Sequence, residues 1–135
     1  MVQQFSVTTP GKGLHEITGT VVEMVRRSGV SQGICTLFLR HTSASLLVQE
    51  NADPSARRDL EAWMDRHVPE GDRLFTHDAE GPDDMPSHIR AALTATSLSI
   101  PVLGGQPALG MWQGIYVWEH RRAGATRKLV LHVGE

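Results

Sequence analysis

A chain of 135 residues with 40% apolar and 21% charged side chains is long enough to bury a core and too apolar for the disordered class. Its formal net charge of -2 supplies no broad positive field, which argues against nucleic acid as a partner. The lone Cys35 excludes an intramolecular disulfide and reads as a buried thiol in a reducing compartment.

The opening MVQQFSVTTPGKG lacks the basic start and long apolar stretch of a signal peptide. No apolar run approaches the ~20 residues that span a bilayer. The cytoplasm is therefore the expected compartment, with no membrane partner. No repeat or linker divides the sequence, so residues 1–135 are read as one domain.

Gln3 to Thr8 is expected to form a strand that stops at Pro10-Gly11-Lys12-Gly13. In the segment that follows, Ile17, Val21, Met24 and Val25 recur at helical spacing. Thr18 is the expected N-cap and Gly29 the C-cap, with Arg26 and Arg27 suiting the last turn. Ile34 to His41 reads as a strand with Cys35, Leu37, Leu39 and His41 on one face, and Ser45 to Glu50 as a further extended run. Asp53-Pro54 opens a helix, with Asp as cap and Pro at the first helical position. Ala56, Leu60, Trp63, Met64 and His67 form its stripe, and it ends near Val68-Pro69.

Glu70 to Pro86 is polar and reads as a loop with one short strand near Arg73 to Thr76. A helix from about Met85 to Leu93 should turn Met85, Ile89, Ala92 and Leu93 to the core. Strands at Ser97 to Leu103, Gly114 to His120 and Lys128 to Val133 complete the chain. Two or three helices among six or seven strands, without strict alternation, give an α+β class.

Seven histidines invite a search for chemistry. His41 ends an apolar strand face and is followed by Thr42, Ser43 and Ser45, which suits a pocket wall or a core histidine held by one carbonyl. Asp84 and His88, four apart on a helix start, share a side. They can be two metal ligands, one His oriented by a carboxylate, or a helix cap beside an exposed ring. His77 sits in an acidic loop with Asp78, Glu80 and Asp83. Arg40, Arg90, Arg121 and Arg122 are available for phosphate or as surface charges. His15 and His132 carry no motif, and Trp112, Tyr116 and Trp118 read as packing residues. HExxH, CxxC, P-loop and GxSxG signatures are absent.

Four stretches taken together resemble the YjbQ family, also called the secondary thiamine-phosphate synthase family: HTSASL (His41 to Leu46), ENADP (Glu50 to Pro54), HDAEGPDDMPSHI (His77 to Ile89) and GMWQGIYVWEHR (Gly110 to Arg121). The resemblance implies a bifurcated β-sandwich with two or three helices, and a homotrimer. It implies metal ligands at His41, His77 and His88, ligand-binding positions at Thr42, Ser43, Asn51, Trp112, Gln113 and Gly114, and catalytic groups at Asp53, Asp84 and Glu119. The alignment of Asp83 against Asp84 is open, and His120 varies within the family. Three imidazoles in one pocket would favour zinc, with magnesium or manganese as alternatives.

The activity so implied is a secondary thiamine-phosphate synthase transfer on a phosphorylated small molecule. The (β/α)₈ barrel of the dedicated enzyme needs about 200 residues or more, which this chain lacks. A metal-dependent hydrolase of a small phosphorylated metabolite and a non-catalytic trimeric ligand-binding protein are the alternatives.

Overall fold

The computed structural model describes residues 1–135. In chain order the elements are β1 (Val2–Thr8), β2 (Gly13–Glu16), α1 (Thr18–Ser28), β3 (Gln32–Leu39), β4 (Ala44–Glu50), α2 (Pro54–His67), α3 (Asp84–Leu93), β5 (Ser97–Leu103), β6 (Gln106–Pro107), β7 (Gln113–Glu119) and β8 (Thr126–Gly134). Five strands form an antiparallel sheet in the order β1-β8-β3-β5-β6, and three form a second in the order β2-β7-β4. A single bridge between Leu46 and Ala95 ties the sheets together. This is the α+β sandwich expected, and no helix is long and apolar enough to cross a membrane.

The central strand β7 shows how the layers are held. Ile115 and Val117 point between the sheets, where Leu37, Leu39, Leu46, Leu129 and Leu131 meet them. Tyr116 and Trp118 point the other way and pack with Leu14, Met64 and Val68 beneath α2. A strand buried on both faces reads as a nearly continuous apolar run, as IYVW does here. Each such side chain contributes about 1.5–3 kcal/mol by leaving water. Helix α1 adds Val21, Met24 and Val25 to the first cluster and stops at Gly29, whose φ of 73° is the left-handed form a C-cap glycine adopts.

Several local expectations change. Thr18 does not cap α1. The N-cap is Ile17, while the Thr18 hydroxyl donates to Glu16 and accepts the Ile115 N–H at 2.9 Å. Asp53 does cap α2, accepting the Ser55 N–H at 2.9 Å. The α2 stripe is narrower than its spacing suggests. Met64 is its one fully buried residue, and Trp63 is 47% exposed, with its ring stacked on His67.

Helix α3 is rotated relative to expectation: Asp84, Pro86, Ser87, Arg90 and Ala91 are buried, whereas Leu93 is exposed. The buried Arg90 explains the turn, because its guanidinium reaches the Val68 carbonyl and Asp65 and needs an inward course. Residues 73–76 form turns and no strand, β2 occupies the segment read as the tail of a turn, and Trp112 is exposed. Strand β3 ends at Leu39, so His41 lies in the β3–β4 connection and not on the strand face.

Candidate metal centre

His77 lies in the α2–α3 connection, and Asp84 and His88 occupy the first turns of α3. Their four-residue spacing puts Asp84 and His88 on one side of the helix, and the loop brings His77 against them. Asp84 Oδ2 stands 2.7 Å from His77 Nε2 and 3.2 Å from His88 Nε2. The three ligand atoms all lie within 4.8 Å of one another. Asp84 is buried, His88 is partly exposed and His77 is exposed, so the cluster opens outward on one side.

Two partners fix how these groups can be used. His88 Nδ1 meets the Thr42 carbonyl at 2.8 Å. A carbonyl only accepts, so Nδ1 carries a proton, and a ring with that proton alone turns the lone pair of Nε2 toward the Asp84 carboxylate. Two lone pairs facing across 3.2 Å need a cation between them, either a proton or a metal ion. A carbonyl holding the remote nitrogen of an imidazole is also the arrangement that orients metal-ligating histidines. On this donor chemistry His77, Asp84 and His88 fit a divalent ion.

The second partner is Arg121. Its Nη1 donates to Asp84 Oδ1 at 2.6 Å, its Nε to Asp83 Oδ2 at 3.1 Å, and its Nη2 to the Glu80 carbonyl at 2.9 Å. Burial would raise the Asp84 pKa. The hydrogen bond from His77 and the charge of Arg121 outweigh it and hold the carboxyl below its usual range. Asp84 is thus anionic, with Oδ1 anchored and Oδ2 presented.

The remaining expected positions separate into three places. His41 lines an open cavity of about 490 Å³ with Thr42, His88, Ala91, Ala92 and Thr96, but it is outside the three-residue cluster. Its Nε2 accepts the Lys128 N–H at 2.8 Å, which assigns the proton of the neutral ring to Nδ1 and leaves neither nitrogen a free lone pair. Burial, with the Arg127 charge nearby, lowers its pKa and keeps that ring neutral. Ser43 follows Thr42 and lines a separate pocket with Arg121 and Arg127.

Glu119 is fully buried and sealed. It accepts from Arg127 through both oxygens and from Thr9 at 2.5 Å, and these bonds hold it ionised against the opposing effect of burial. As a proton acceptor in a reaction it has no open side.

Asn51, Asp53, Trp112, Gln113 and Gly114 lie at the opposite end of the three-stranded sheet. In β4 and β7 Ala44 pairs with Glu119 and Glu50 with Gln113, ends that are separated by about 20 Å at ~3.3 Å per residue. There the Asn51 amide donates to Glu16 at 3.1 Å, and the Asn51 N–H donates to the Trp112 carbonyl. Gly114 is packed so closely that an added Cβ would fall 2.6 Å from Glu16 Oε2. Asp53 borders a small cleft with Glu50, Asn51, Arg57 and Tyr116. Within one chain these residues do not meet the histidine cluster. The Thr42 carbonyl and Arg127 were not singled out by sequence. A backbone acceptor leaves no residue signature, and an arginine inside an alternating strand looks like an outward-facing charge.

Fold and site together define a two-sheet α+β protein with a His/Asp cluster at one helix start that could hold a cation. Comparison with known proteins agrees on the fold. Residues 3–135 match the family model described as UPF0047 protein YjbQ-like. The chain is 49% identical over 127 residues to a UPF0047 protein of Synechocystis, covering 94% of this chain and 86% of that protein. It is 40% identical to YjbQ of Escherichia coli O157:H7, covering 93% and 91% respectively. A crystal structure of a YjbQ/UPF0047 family protein from Clostridium acetobutylicum superposes with a TM-score of 0.88 at 34% identity, over 98% of this chain and 99% of that one. The chain belongs to the UPF0047/YjbQ family.

Proposed function

We propose that this protein is a small-metabolite enzyme whose chemistry centres on a divalent cation held by His77, Asp84 and His88, with zinc ahead of manganese or magnesium. The observation that carries this reading is the Thr42 carbonyl on His88 Nδ1 at 2.8 Å, which turns the opposite nitrogen onto Asp84. When bound, such an ion would polarise a substrate oxygen or lower the pKa of a water molecule. The residues of the chain bind and orient: Arg121 anchors Asp84, Thr42 fixes the His88 ring, and the cavity walls of Ala91, Ala92 and Thr96 exclude water from an apolar part of the substrate. His41 and Thr42 supply the polar groups on that wall.

Within this reading the transferase activity associated with the family, joining the two thiamine-phosphate precursors as a secondary reaction on a phosphorylated substrate, comes first. A hydrolase is the second reading, kept because the donor set is compatible with it. Two imidazoles, one carboxylate and an open side are the ligands of many hydrolytic zinc sites. We further propose that the protein is cytoplasmic and acts as a homotrimer. The outer face of the five-stranded sheet, where Ile34, Phe38 and Leu103 are exposed, supports burial against other copies.

Elemental analysis of purified protein, followed by assays of wild type and His88→Ala with both thiamine precursors and with single phosphomonoesters plus zinc, tests the proposal. Product from the precursor pair alone supports the transferase, and turnover of one ester supports the hydrolase. Stabilisation by ligand with no product would leave a binding protein. Full activity in His88→Ala would remove the site.

A further inference from the structure

We propose that the pocket between Ser43, Arg121, Arg127 and the turn at 123–125 is an oxyanion subsite that holds the phosphoryl end of the substrate beside the cation cluster. This rests on the metal-centre reading above and extends it. The pocket has a volume of about 270 Å³ and is lined by Ser43, Arg121, Ala123, Gly124, Ala125 and Arg127.

Arg127 is the unusual element. Its side chain is 4% exposed and its course is fixed, with Nε and Nη2 on the Glu119 carboxylate and Nη2 also on the Ser43 carbonyl at 3.1 Å. The remaining nitrogen, Nη1, has no partner in the protein, and it is not one of the buried unpartnered atoms. A guanidinium locked on one edge thus offers its other edge to the pocket it lines. The Ser43 hydroxyl is likewise without a partner there, as its carbonyl alone is engaged. An immobilised guanidinium and a free hydroxyl on one wall are donors without acceptors, and oxygen-rich anions are the ligands that fit them. Ala123, Gly124 and Ala125 leave the opposite side small, so the ligand can approach closely.

The charges say when such a ligand would bind. Glu119 neutralises Arg127, and Asp83 with Asp84 outnumbers Arg121 by one. With nothing in the histidine cluster the surroundings are not positive, and a dianion would be held weakly. A divalent ion on Asp84 reverses that balance. The two sites are physically contiguous, because Arg121 touches Asp84 and lines the pocket, while Ser43 follows the residue whose carbonyl holds His88. Phosphoryl binding and cation binding therefore strengthen one another, each by the same factor.

The test uses calorimetry on the full chain. Zinc titrated alone reports the metal centre. Inorganic phosphate is then titrated into zinc-free protein and into zinc-loaded protein freed of excess metal, with acetate as a parallel probe. The expected results are phosphate binding at least tenfold tighter with zinc than without, and weaker binding of acetate. Ser43→Asp, which places a carboxylate on the anion wall, should cost at least tenfold in phosphate affinity while zinc affinity without phosphate does not fall. Ser43→Ala should cost severalfold, with near-UV circular dichroism confirming both folds. Undiminished phosphate binding in Ser43→Asp, or no phosphate binding to zinc-loaded wild type, overturns the subsite. Acetate binding as tightly as phosphate overturns its phosphoryl character. If zinc fails to bind while phosphate binds and is lost in Ser43→Asp, the subsite stands and the metal reading falls.

Discussion

His120 should make the protein acid-sensitive well above the range in which its carboxylates titrate. The ring is 1% exposed, and its Nε2 sits 2.8 Å from Ser45 Oγ while Nδ1 has no partner. Burial, reinforced by the charges of Arg90 and Arg127, pushes its pKa down to about 3. An unfolded histidine titrates near 6.5, so between those values the unfolded chain binds a proton that the native chain refuses. Stability is then unaffected above pH 6.5 and falls by about 1.4 kcal/mol for each unit below it, approaching roughly 5 kcal/mol near pH 3. Gln at this position can still reach Ser45 and does not titrate. Urea unfolding of wild type and His120→Gln between pH 7.5 and 5.0 isolates the effect, since Asp84 and Glu119 contribute mainly below that window and the lowered His41 is common to both proteins. Wild type should lose about 2 kcal/mol more than the variant over the interval from 6.5 to 5.0. Parallel pH profiles would refute the reasoning.

Asp84→Asn keeps the shape but removes the charge that faces both imidazoles, and it should weaken zinc binding by more than the roughly 10- to 100-fold that changing an outer-shell partner costs, read by competition with a chromogenic chelator. Arg127→Met strands the buried Glu119 charge and should cost about 3–5 kcal/mol in urea unfolding, whereas changing both Arg127 and Glu119 to apolar residues should recover much of that loss. Gly114→Ala drives a methyl to 2.6 Å from Glu16 Oε2 and 2.9 Å from Asn51 Cβ. It should destabilise by about 1–3 kcal/mol, seen as a lower urea midpoint with an unchanged slope.

The apolar periodicity of the sequence carried most of the architecture, for reasons visible in single elements. Strand β7 and helix α1 were legible because their inward residues recur at the spacing their geometry demands, and Asp53-Pro54 because a cap and a fixed φ act locally. Strand β2 was not. Its four residues follow a Pro/Gly turn and owe their conformation to pairing with β7, a contact remote in sequence. Helix α3 was placed correctly and rotated wrongly, since hydrophobicity alone cannot anticipate that Arg90 goes inward to meet Asp65 and the Val68 carbonyl. Trp63 shows the same limit from the other side: it shares the spacing of the stripe, but stacking on His67 satisfies it at the surface.

The site follows that division. Asp84 and His88 pair from a helical repeat, whereas His77 is only a possible third imidazole in an acidic loop until the resemblance adds weight, because a loop has no period. The strand face makes His41 a pocket wall and only the resemblance makes it a metal ligand, yet β3 stops two residues earlier and the Lys128 N–H claims its Nε2. What makes three residues a candidate cation site is a set of groups that sequence reading ignores: one backbone carbonyl, one arginine from the β7–β8 connection, and the sealed Glu119–Arg127 pair that fixes that connection through the Arg121 N–H at 3.0 Å. A buried ion pair with so little access contributes weakly to stability beyond an apolar replacement. Its value here is positional, because it sets the path of the backbone that delivers Arg121 to Asp84. Changing both partners to apolar residues should therefore lower metal affinity while moving the melting temperature little.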